Sequence, residues 1–432
     1  MNVGDFVEIV TDEETLRGIV VPSPDENTIV LKLQSGYNIG VYKSKIKSTK
    51  VIEPSKESKK QGPKEHEKHD KGQKNISILH TGGTIASKVD YKTGGVVAKF
   101  DADEMLNLFP ELKRIANVRS VQIMQSQSEM IRFAHYNLMA NAIFKEIEEH
   151  KPDGIIVTHG TDTLHYSSAA LSFMLENLPV PVILVGAQRS SDRPSTDASL
   201  NLISAAYFAA QANFSGVAIC MHSSSNDTEC SILPATKSRK MHTSRRDAFR
   251  PINSLPIAKV NFEEQKIEFL SDHQKRGHGK TSLTEFKEDL KIAIIKSHPN
   301  MLASQFTHYK DYEGLIIEGT GLGHIPNQQT DSHNSENEKI HTAVANLIKG
   351  GTVVVMTAQT IYGRINLNVY TPQRELVKIG VLGHLRDMTP ETAFIKLAWL
   401  LSNYPKEEVK QLITKDLRGE ISRRSAKETF LA

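Results

Sequence analysis

Two short loops rich in threonine and glycine carry the side chains best suited to chemistry in this sequence. The first contains His80, Thr81, Gly82, Gly83 and Thr84. Its two glycines allow a tight turn and a close approach of the backbone to a ligand. A threonine at a helix start would also have a neighbouring backbone N–H available for an oxyanion. A turn capped by threonine explains the same residues equally well, so this loop alone leaves both roles open.

The second loop runs from Thr158 to Thr163 and also follows an apolar segment. Its three hydroxyls and the Asp162 carboxylate could bind a polar zwitterion and place a hydroxyl close to an acid. A single loop of this kind more often caps a helix, with Asp162 at the helix N-terminus. Two threonine-rich loops in equivalent positions favour a functional role for both.

A basic segment from Arg239 to Phe249 contains a third candidate, Lys240. On sequence alone, a lysine in a basic run usually lies on a solvated face. A lysine desolvated beside Asp162 could instead take a proton from Thr161 or from water, because burial and the acid shift its pKa in opposite directions.

Metal and nucleotide sites are not predicted. His80, His159 and His242 lack the i, i+4 spacing of a helical zinc pair, so core or capping roles are favoured for them. The sequence has no GxxxxGK[ST] loop, and ATP binding by that route is therefore not expected.

The elements that must position these loops alternate between apolar strands and amphipathic helices. Strands are predicted at residues 75–80, 154–159, 181–186 and 216–221, with helical segments between them. This alternation indicates a parallel, doubly wound sheet, whose ligands bind outside the carboxyl ends of the strands. Both threonine-rich loops follow such strands.

A second α/β unit is predicted from Lys291 onward, with strands at 291–295, 314–319 and 351–358. Thr389, Pro390 and Glu391 supply a cap, a proline at the first helical position and an acid in the first turn of a helix. The tail after Tyr404 mixes charges, and we expect it to end in a loosely packed helix.

The first 53 residues have a different pattern from the rest of the chain. Short segments of alternating apolar and polar residues, broken by Gly, Pro, Asp and Asn, predict a small SH3-like β-barrel.

A charged segment follows the predicted barrel. It contains seven lysines and five acidic residues between Glu53 and Lys74, without Val, Ile, Leu, Met or aromatic residues. Such a segment cannot offset its ordering entropy by burial, so residues 54–74 are predicted to be a charged linker. A solvated tether is favoured over an RNA-binding patch, since acids and bases alternate.

Composition limits the possible protein classes. The chain has 432 residues, which suggests several domains, and its formal net charge of +3 is too small for overall charge to drive nucleic-acid binding. It has two cysteines, too few for a disulfide scaffold or a four-ligand structural zinc site. No signal peptide or uninterrupted run of 18 apolar residues is visible, so we expect a cytoplasmic protein without a membrane span.

Taken in order, the motifs TGGTIAS at 81–87, THGTDT at 158–163 and GAQR at 186–189 resemble the type I/II L-asparaginase family. GLIIEGTGLGHIPN at 314–327 and DMTPETAFIKLAWLL at 387–401 extend the resemblance, which covers residues 75–432. It implies an asparaginase-like two-domain α/β fold with parallel sheets. The predicted domains are a β-barrel at 1–53, an N-terminal domain with the active site at 75–280 and a C-terminal domain at 290–432.

The resemblance also implies roles for individual residues. Thr84 is the nucleophile that attacks the side-chain amide of glutamine, and Lys240 takes the position of the family's catalytic lysine. Thr161, Asp162 and Lys240 activate the hydroxyl or the deacylating water, and Asp162 also anchors the substrate's α-amino group. Which threonine attacks first stays open. Gly83 and Gly160 are further substrate-binding candidates.

The sequence departs from the family at two places. Where asparaginases have a lid tyrosine, this chain has Thr93-Gly94-Gly95-Val96, and Tyr91 is the nearby tyrosine. A gapless alignment puts Gln127 at the family's substrate-binding serine, and we assign that serine and the acid after it to Ser128 and Glu129.

Among members of this family, the glutaminase subunits of tRNA-dependent amidotransferases likewise have a small β-domain before an asparaginase-like body. The resemblance therefore implies a glutaminase that supplies ammonia for converting Glu-tRNA(Gln) to Gln-tRNA(Gln). It further implies a homodimer within a heterotetramer, formed with a transamidase and kinase partner (the E subunit) that uses ATP and Mg. This chain itself is expected to need no cofactor or metal. The alternatives are a free-standing L-asparaginase and a catalytically silent tRNA-docking protein.

Overall fold

The computed structural model describes residues 2–21, 23, 27–33, 38–54, 72–83, 87–89, 96–98, 109–189, 196–277 and 279–431. Thr84 and Tyr91 lie outside the described residues, as do Gly94, Gly95 and residues 55–71 of the predicted linker.

The described part of the first 54 residues forms a five-stranded antiparallel sheet in the order β4-β3-β2-β1-β5. The strands are β1 (Phe6–Thr11), β2 (Thr15–Val21), β3 (Thr28–Leu33), β4 (Asn38–Tyr42) and β5 (Ile46–Glu53). Alternate residues of β1 and β2 point inward, and Val7, Ile9, Leu16, Val20 and Leu31 belong to one buried cluster. Burial on one face of each strand produces the period-two pattern of the sequence.

Short strands and amphipathic helices alternate through the next unit. Its strands are β6 (Lys74–His80), β7 (Ser87–Val89), β8 (Val96–Ala98), β9 (Ala116–Gln122), β10 (Gly154–Thr158), β11 (Leu175–Glu176), β12 (Pro181–Val185), β13 (Gly216–His222), β14 (Cys230–Pro234), β15 (Ser238–Lys240), β16 (Phe249–Pro251), β17 (Ala258–Asn261) and β18 (Lys266–Phe269). Its helices are α1 (Leu112–Ile115), α2 (Phe133–Glu149), α3 (Leu164–Met174) and α4 (Ala198–Gln211).

Eight of these strands make one sheet in the order β18-β17-β14-β13-β12-β10-β6-β9. The run from β13 to β9 is parallel, whereas β14, β17 and β18 add antiparallel strands. The sheet is therefore mixed, not wholly parallel. Helices α2 and α3 share a core with Ile155 and Val157, and α1 and α4 share another with Ile156, so helices cover both faces of the sheet.

A second, smaller unit follows. Its strands are β19 (Ser282–Leu283), β20 (Ile292–Lys296), β21 (Gly314–Gly319) and β22 (Val353–Ala358), and its helices are α5 (Ala303–Thr307), α6 (Glu336–Lys349), α7 (Thr371–Ile379), α8 (Pro390–Asn403) and α9 (Lys406–Leu412). Strands β20, β21 and β22 form a parallel sheet. Thr389 caps α8 as expected, because its hydroxyl accepts a hydrogen bond from the Thr392 amide. Buried residues of α8 and β22 belong to the same core cluster as α2 and α3, so the two units pack on each other.

The tail ends in a loosely packed helical turn as expected, because Lys427–Thr429 has no buried residue, but the segment before this turn is tightly packed. After α9 the chain turns back onto α8, where Lys396 and Glu420 form an ion pair of 2.6 Å with both side chains fully buried. Lys396 also donates to the Ile413 carbonyl, and Ile413 is itself buried. One of the acidic residues of this tail, Glu420, therefore pairs with a buried lysine of α8. Composition alone does not reveal this pairing.

Within the ranges that the structure describes, no helix is both long and apolar enough to cross a membrane.

Candidate active site

The two threonine-rich loops meet at the carboxyl ends of β6 and β10, which are adjacent parallel strands with His80 opposite Thr158. Thr81 donates to the Thr158 carbonyl from its amide and from its hydroxyl, at 3.2 and 2.8 Å. The strand order thus brings together two loops that are nearly 80 residues apart in sequence.

Glycine is required where the loops touch. Gly83 has a positive φ of 82°, and a Cβ at this position would lie 2.5 Å from the Gly160 nitrogen. A Cβ on Gly160 would in turn lie 2.9 Å from the Ser128 side chain. Glycine is therefore needed at both positions because the loop backbones approach too closely to leave room for a Cβ.

Lys240 completes the central cluster. It ends β15, which pairs with β16, and its Nζ donates to Thr161 Oγ1 at 2.8 Å and to Asp162 Oδ1 at 2.7 Å. The Lys240 side chain is 11% exposed, so it is not on a solvated face, whereas the Asp162 side chain is 63% exposed. The structure brings together these three predicted residues and leaves the acid open to an incoming ligand.

Asp162 does not cap the following helix. Thr163 occupies the position before α3, and its hydroxyl donates to the Ser128 carbonyl at 2.6 Å. Ser128 is buried in a short 3-10 turn, whereas Gln127 and Glu129 are exposed. The structure therefore places Ser128 against the second threonine-rich loop, with Glu129 beside it in the chain.

His80 and His159 are buried residues that contact the two threonine-rich loops. His80 lies between Thr158 and Ser120, and burial lowers the pKa of its imidazole to about 4. His159 contacts the Gly160 carbonyl and the Ser167 hydroxyl, and burial lowers its pKa to about 4. Within the described ranges, no group of three or more His, Cys, Asp and Glu side chains is arranged to hold a metal ion.

A cavity of about 460 Å³ opens beside Lys240. Its lining includes four side chains that the sequence analysis did not assign to the site: His165, Tyr166, Arg239 and Glu391. Burial, assisted by the charges of Arg239 and Lys240, lowers the pKa of His165 to about 3. Proximity to the motifs could have indicated two of these residues, since His165 follows the second loop and Arg239 precedes Lys240.

Two domain families match the body of the chain. Residues 75–275 match the family described as "Asparaginase, N-terminal", and residues 291–413 match the "Glutaminase/Asparaginase C-terminal domain". Residues 1–52 match the "GatD N-terminal domain".

Curated relatives are similar over almost the whole chain. The D subunit of the glutamyl-tRNA(Gln) amidotransferase from Methanococcus maripaludis strain C5 is 44% identical, with 98% of each chain covered. The protein of the same name from Thermococcus kodakarensis is 42% identical, over 100% of this chain and 97% of the relative.

Solved L-asparaginases are similar to the described architecture. The thermostable L-asparaginase from T. kodakarensis superposes with a TM-score of 0.70 at 29% identity, covering 81% of this chain and 100% of that one. L-asparaginase I from Vibrio cholerae superposes with a TM-score of 0.69 at 26% identity and the same coverage. The expected asparaginase-like two-domain fold, preceded by a small β-domain, is confirmed.

Proposed function

The chain belongs to the family of glutamyl-tRNA(Gln) amidotransferase D subunits, and from this membership we propose that it is the glutaminase that supplies ammonia for making Gln-tRNA(Gln) from Glu-tRNA(Gln). The observation that carries the proposal is the contact of Lys240 Nζ with both Thr161 and Asp162 at the carboxyl end of the sheet. A hydroxyl is a weak nucleophile at its own pKa, and an adjacent base is what activates it.

In the proposed reaction the Thr84 oxygen attacks the side-chain carbonyl carbon of glutamine. The carbon–nitrogen bond then breaks, and the amide nitrogen gains the proton that the Thr84 hydroxyl loses and leaves as ammonia. Water hydrolyses the resulting ester, which releases glutamate and restores the hydroxyl. Lys240, when neutral, takes a proton from Thr161 or from this water, and the Asp162 carboxylate then stabilises the ammonium that forms.

Substrate binding uses the surroundings of the same cluster. The exposed Asp162 carboxylate anchors the α-amino group of glutamine, and Ser128 and Glu129 bind the same amino acid from the adjacent turn. Gly83 and Gly160 keep the two loops close enough to share one substrate. Tyr91, from the segment after Thr84, is a candidate for a lid residue.

The name shared by the relatives describes each of them as one component of an amidotransferase with several different chains. We extend this to the present chain and propose a heterotetramer, in which a homodimer of this chain binds the transamidase and kinase partner. The partner would activate the tRNA-linked glutamate with ATP and Mg, while this chain needs no cofactor. Such a complex would act in the cytoplasm, where two free, buried cysteines stay reduced.

Reconstitution tests the proposal. The full chain, the transamidase partner, Glu-tRNA(Gln), ATP, Mg and glutamine should yield Gln-tRNA(Gln), measured by the amino acid recovered from the tRNA. Omitting this chain should abolish the glutamine-dependent product. Rapid hydrolysis of asparagine by the chain alone, with no contribution to transamidation, would identify a free-standing asparaginase instead.

The contact between the loops gives a further prediction. Replacing Gly83 with Ala should lower the kcat for glutamine hydrolysis by about 100-fold, since a shift of roughly 1 Å in reacting groups has effects of that size. An alanine at this position would have to adopt a positive φ, which is unfavourable for a residue with a Cβ. Its Cβ would also overlap the Gly160 backbone. Steady-state kinetics of the complex measure this effect.

Gly277→Ala is the matched control, because a Cβ there meets nothing within 4 Å. It should leave kcat within twofold of the wild-type value. A Gly83→Ala protein with wild-type kcat would show that the loops tolerate separation.

A further inference from the structure

The hairpin that carries Lys240 is also bound to the C-terminal unit. Lys240 points to the candidate active site, whereas Lys237 and Arg239 both form ion pairs with the segment at the start of α8. Lys240 therefore lies one position after Arg239 and three positions after Lys237, both of which are paired with the C-terminal unit.

The first ion pair is deeply buried. Lys237 Nζ donates to Asp387 Oδ2 at 2.8 Å, with the two side chains 4% and 1% exposed. The other Asp387 oxygen accepts from the Ser422 amide at 3.0 Å. Asn253, just after β16, donates to the Asp387 carbonyl at 3.1 Å. Asp387 thus connects both ends of the hairpin to the C-terminal unit.

The second ion pair lies next to the reacting groups. Arg239 Nη2 and Glu391 Oε1 are 3.0 Å apart, and both residues line the cavity beside Lys240. Glu391 lies in the first turn of α8, where helix geometry favours a negative charge. Thr392, the next residue, donates to the Thr236 carbonyl at 2.8 Å. The start of α8 therefore contacts the segment from Thr236 to Arg239 through two side chains, the Glu391 carboxylate and the Thr392 hydroxyl.

Resting on the proposed function, we propose that Glu391 and Asp387 are positioning residues for Lys240. They hold β15 so that Lys240 Nζ reaches both Thr161 and Asp162. The C-terminal unit thereby contributes to glutamine hydrolysis without touching glutamine. Glu391 is the more informative of the two to replace, because its side chain is at the cavity edge, whereas removing Asp387 would leave the Lys237 charge buried without a partner.

Kinetics of the complex test this. Glu391→Ala should lower the kcat for glutamine hydrolysis at least tenfold and leave KM within twofold, because Asp162 and Ser128 keep their places. Glu391→Gln keeps the length of the side chain and a carbonyl oxygen facing Arg239, and it should recover kcat to within threefold of the wild type. Glu176→Ala is the matched control: it removes another ion pair, with Arg418 at 3.1 Å, away from the hairpin, and should leave both constants unchanged.

A crystal structure of Glu391→Ala gives a readout independent of activity. We expect Lys240 Nζ to lie more than 3.5 Å from Thr161 Oγ1, compared with 2.8 Å here. An unchanged distance, or a kcat within twofold of wild type, would overturn the inference. If wild-type protein hydrolysed no glutamine, the proposed function would fail, and the Lys240 position in the variant would still decide whether Glu391 positions it.

Discussion

Replacing Lys240 with Met should lower glutamine-dependent formation of Gln-tRNA(Gln) by about 10⁴-fold, the scale on which removal of one member of a catalytic group acts. The substitution removes the amine that contacts Thr161 and Asp162 and leaves the Asp162 carboxylate without its partner. Thr84→Ala, Thr161→Ala and Asp162→Ala should each also abolish the glutamine-dependent reaction, because the proposed nucleophile, relay and substrate anchor would be lost.

The same four variants should keep transamidation when ammonium salt replaces glutamine. Free ammonia bypasses the hydrolysis step, so activity with ammonium separates lost chemistry from lost folding or assembly. Lys259→Met is the matched control, since it removes another lysine that pairs with an acid, Glu229, and should leave both reactions unchanged. Loss of the ammonium-fed reaction in the four variants would assign these residues to folding or to the interface with the partner.

The transamidase partner and Glu-tRNA(Gln) should together accelerate glutamine hydrolysis by this chain at least tenfold, a coupling of about 1.4 kcal/mol or more. Ammonia released into water at neutral pH is mostly protonated and not nucleophilic, so hydrolysis is useful when a receiving partner is in place. The departures from the asparaginase pattern around Gly95 and Gln127 are consistent with a site that partner binding completes.

The measurement is the rate of glutamate formation from glutamine by the chain alone, with the transamidase partner, and with that partner plus Glu-tRNA(Gln). The same series with asparagine gives the comparison, and asparagine hydrolysis should stay slow throughout. A fast rate for the lone chain that partner and tRNA leave unchanged would contradict the coupling.

Sequence reasoning located the part of the site that local motifs encode. Thr161 and Asp162 follow a strongly apolar strand, and the resemblance assigned Lys240 against the ordinary expectation for a basic run. The contact of Lys240 with Thr161 and Asp162 joins positions almost 80 residues apart, and only the resemblance to the family predicted that these residues act together.

The contributions of distant chain segments were not predictable in the same way. Glu391 was selected as a helix-capping acid, and its ion pair with Arg239 depends on how the second unit packs on the first. Strand β9 was missed because Ala116–Gln122 mixes polar and apolar residues, as befits an edge strand with partly exposed side chains. The buried Lys396–Glu420 pair was hidden within a tail of mixed charge.

Tracing the amide nitrogen tests the central claim most directly. The reconstituted complex would receive glutamine labelled with ¹⁵N in the side-chain amide, together with unlabelled ammonium, and the nitrogen in the Gln-tRNA(Gln) product would be measured by mass spectrometry. Wild-type chain should deliver ¹⁵N, and Lys240→Met should give product that contains nitrogen from ammonium alone. Labelled product from the Lys240→Met complex, or unlabelled product from the wild type, would contradict the assignment of glutamine hydrolysis to this site.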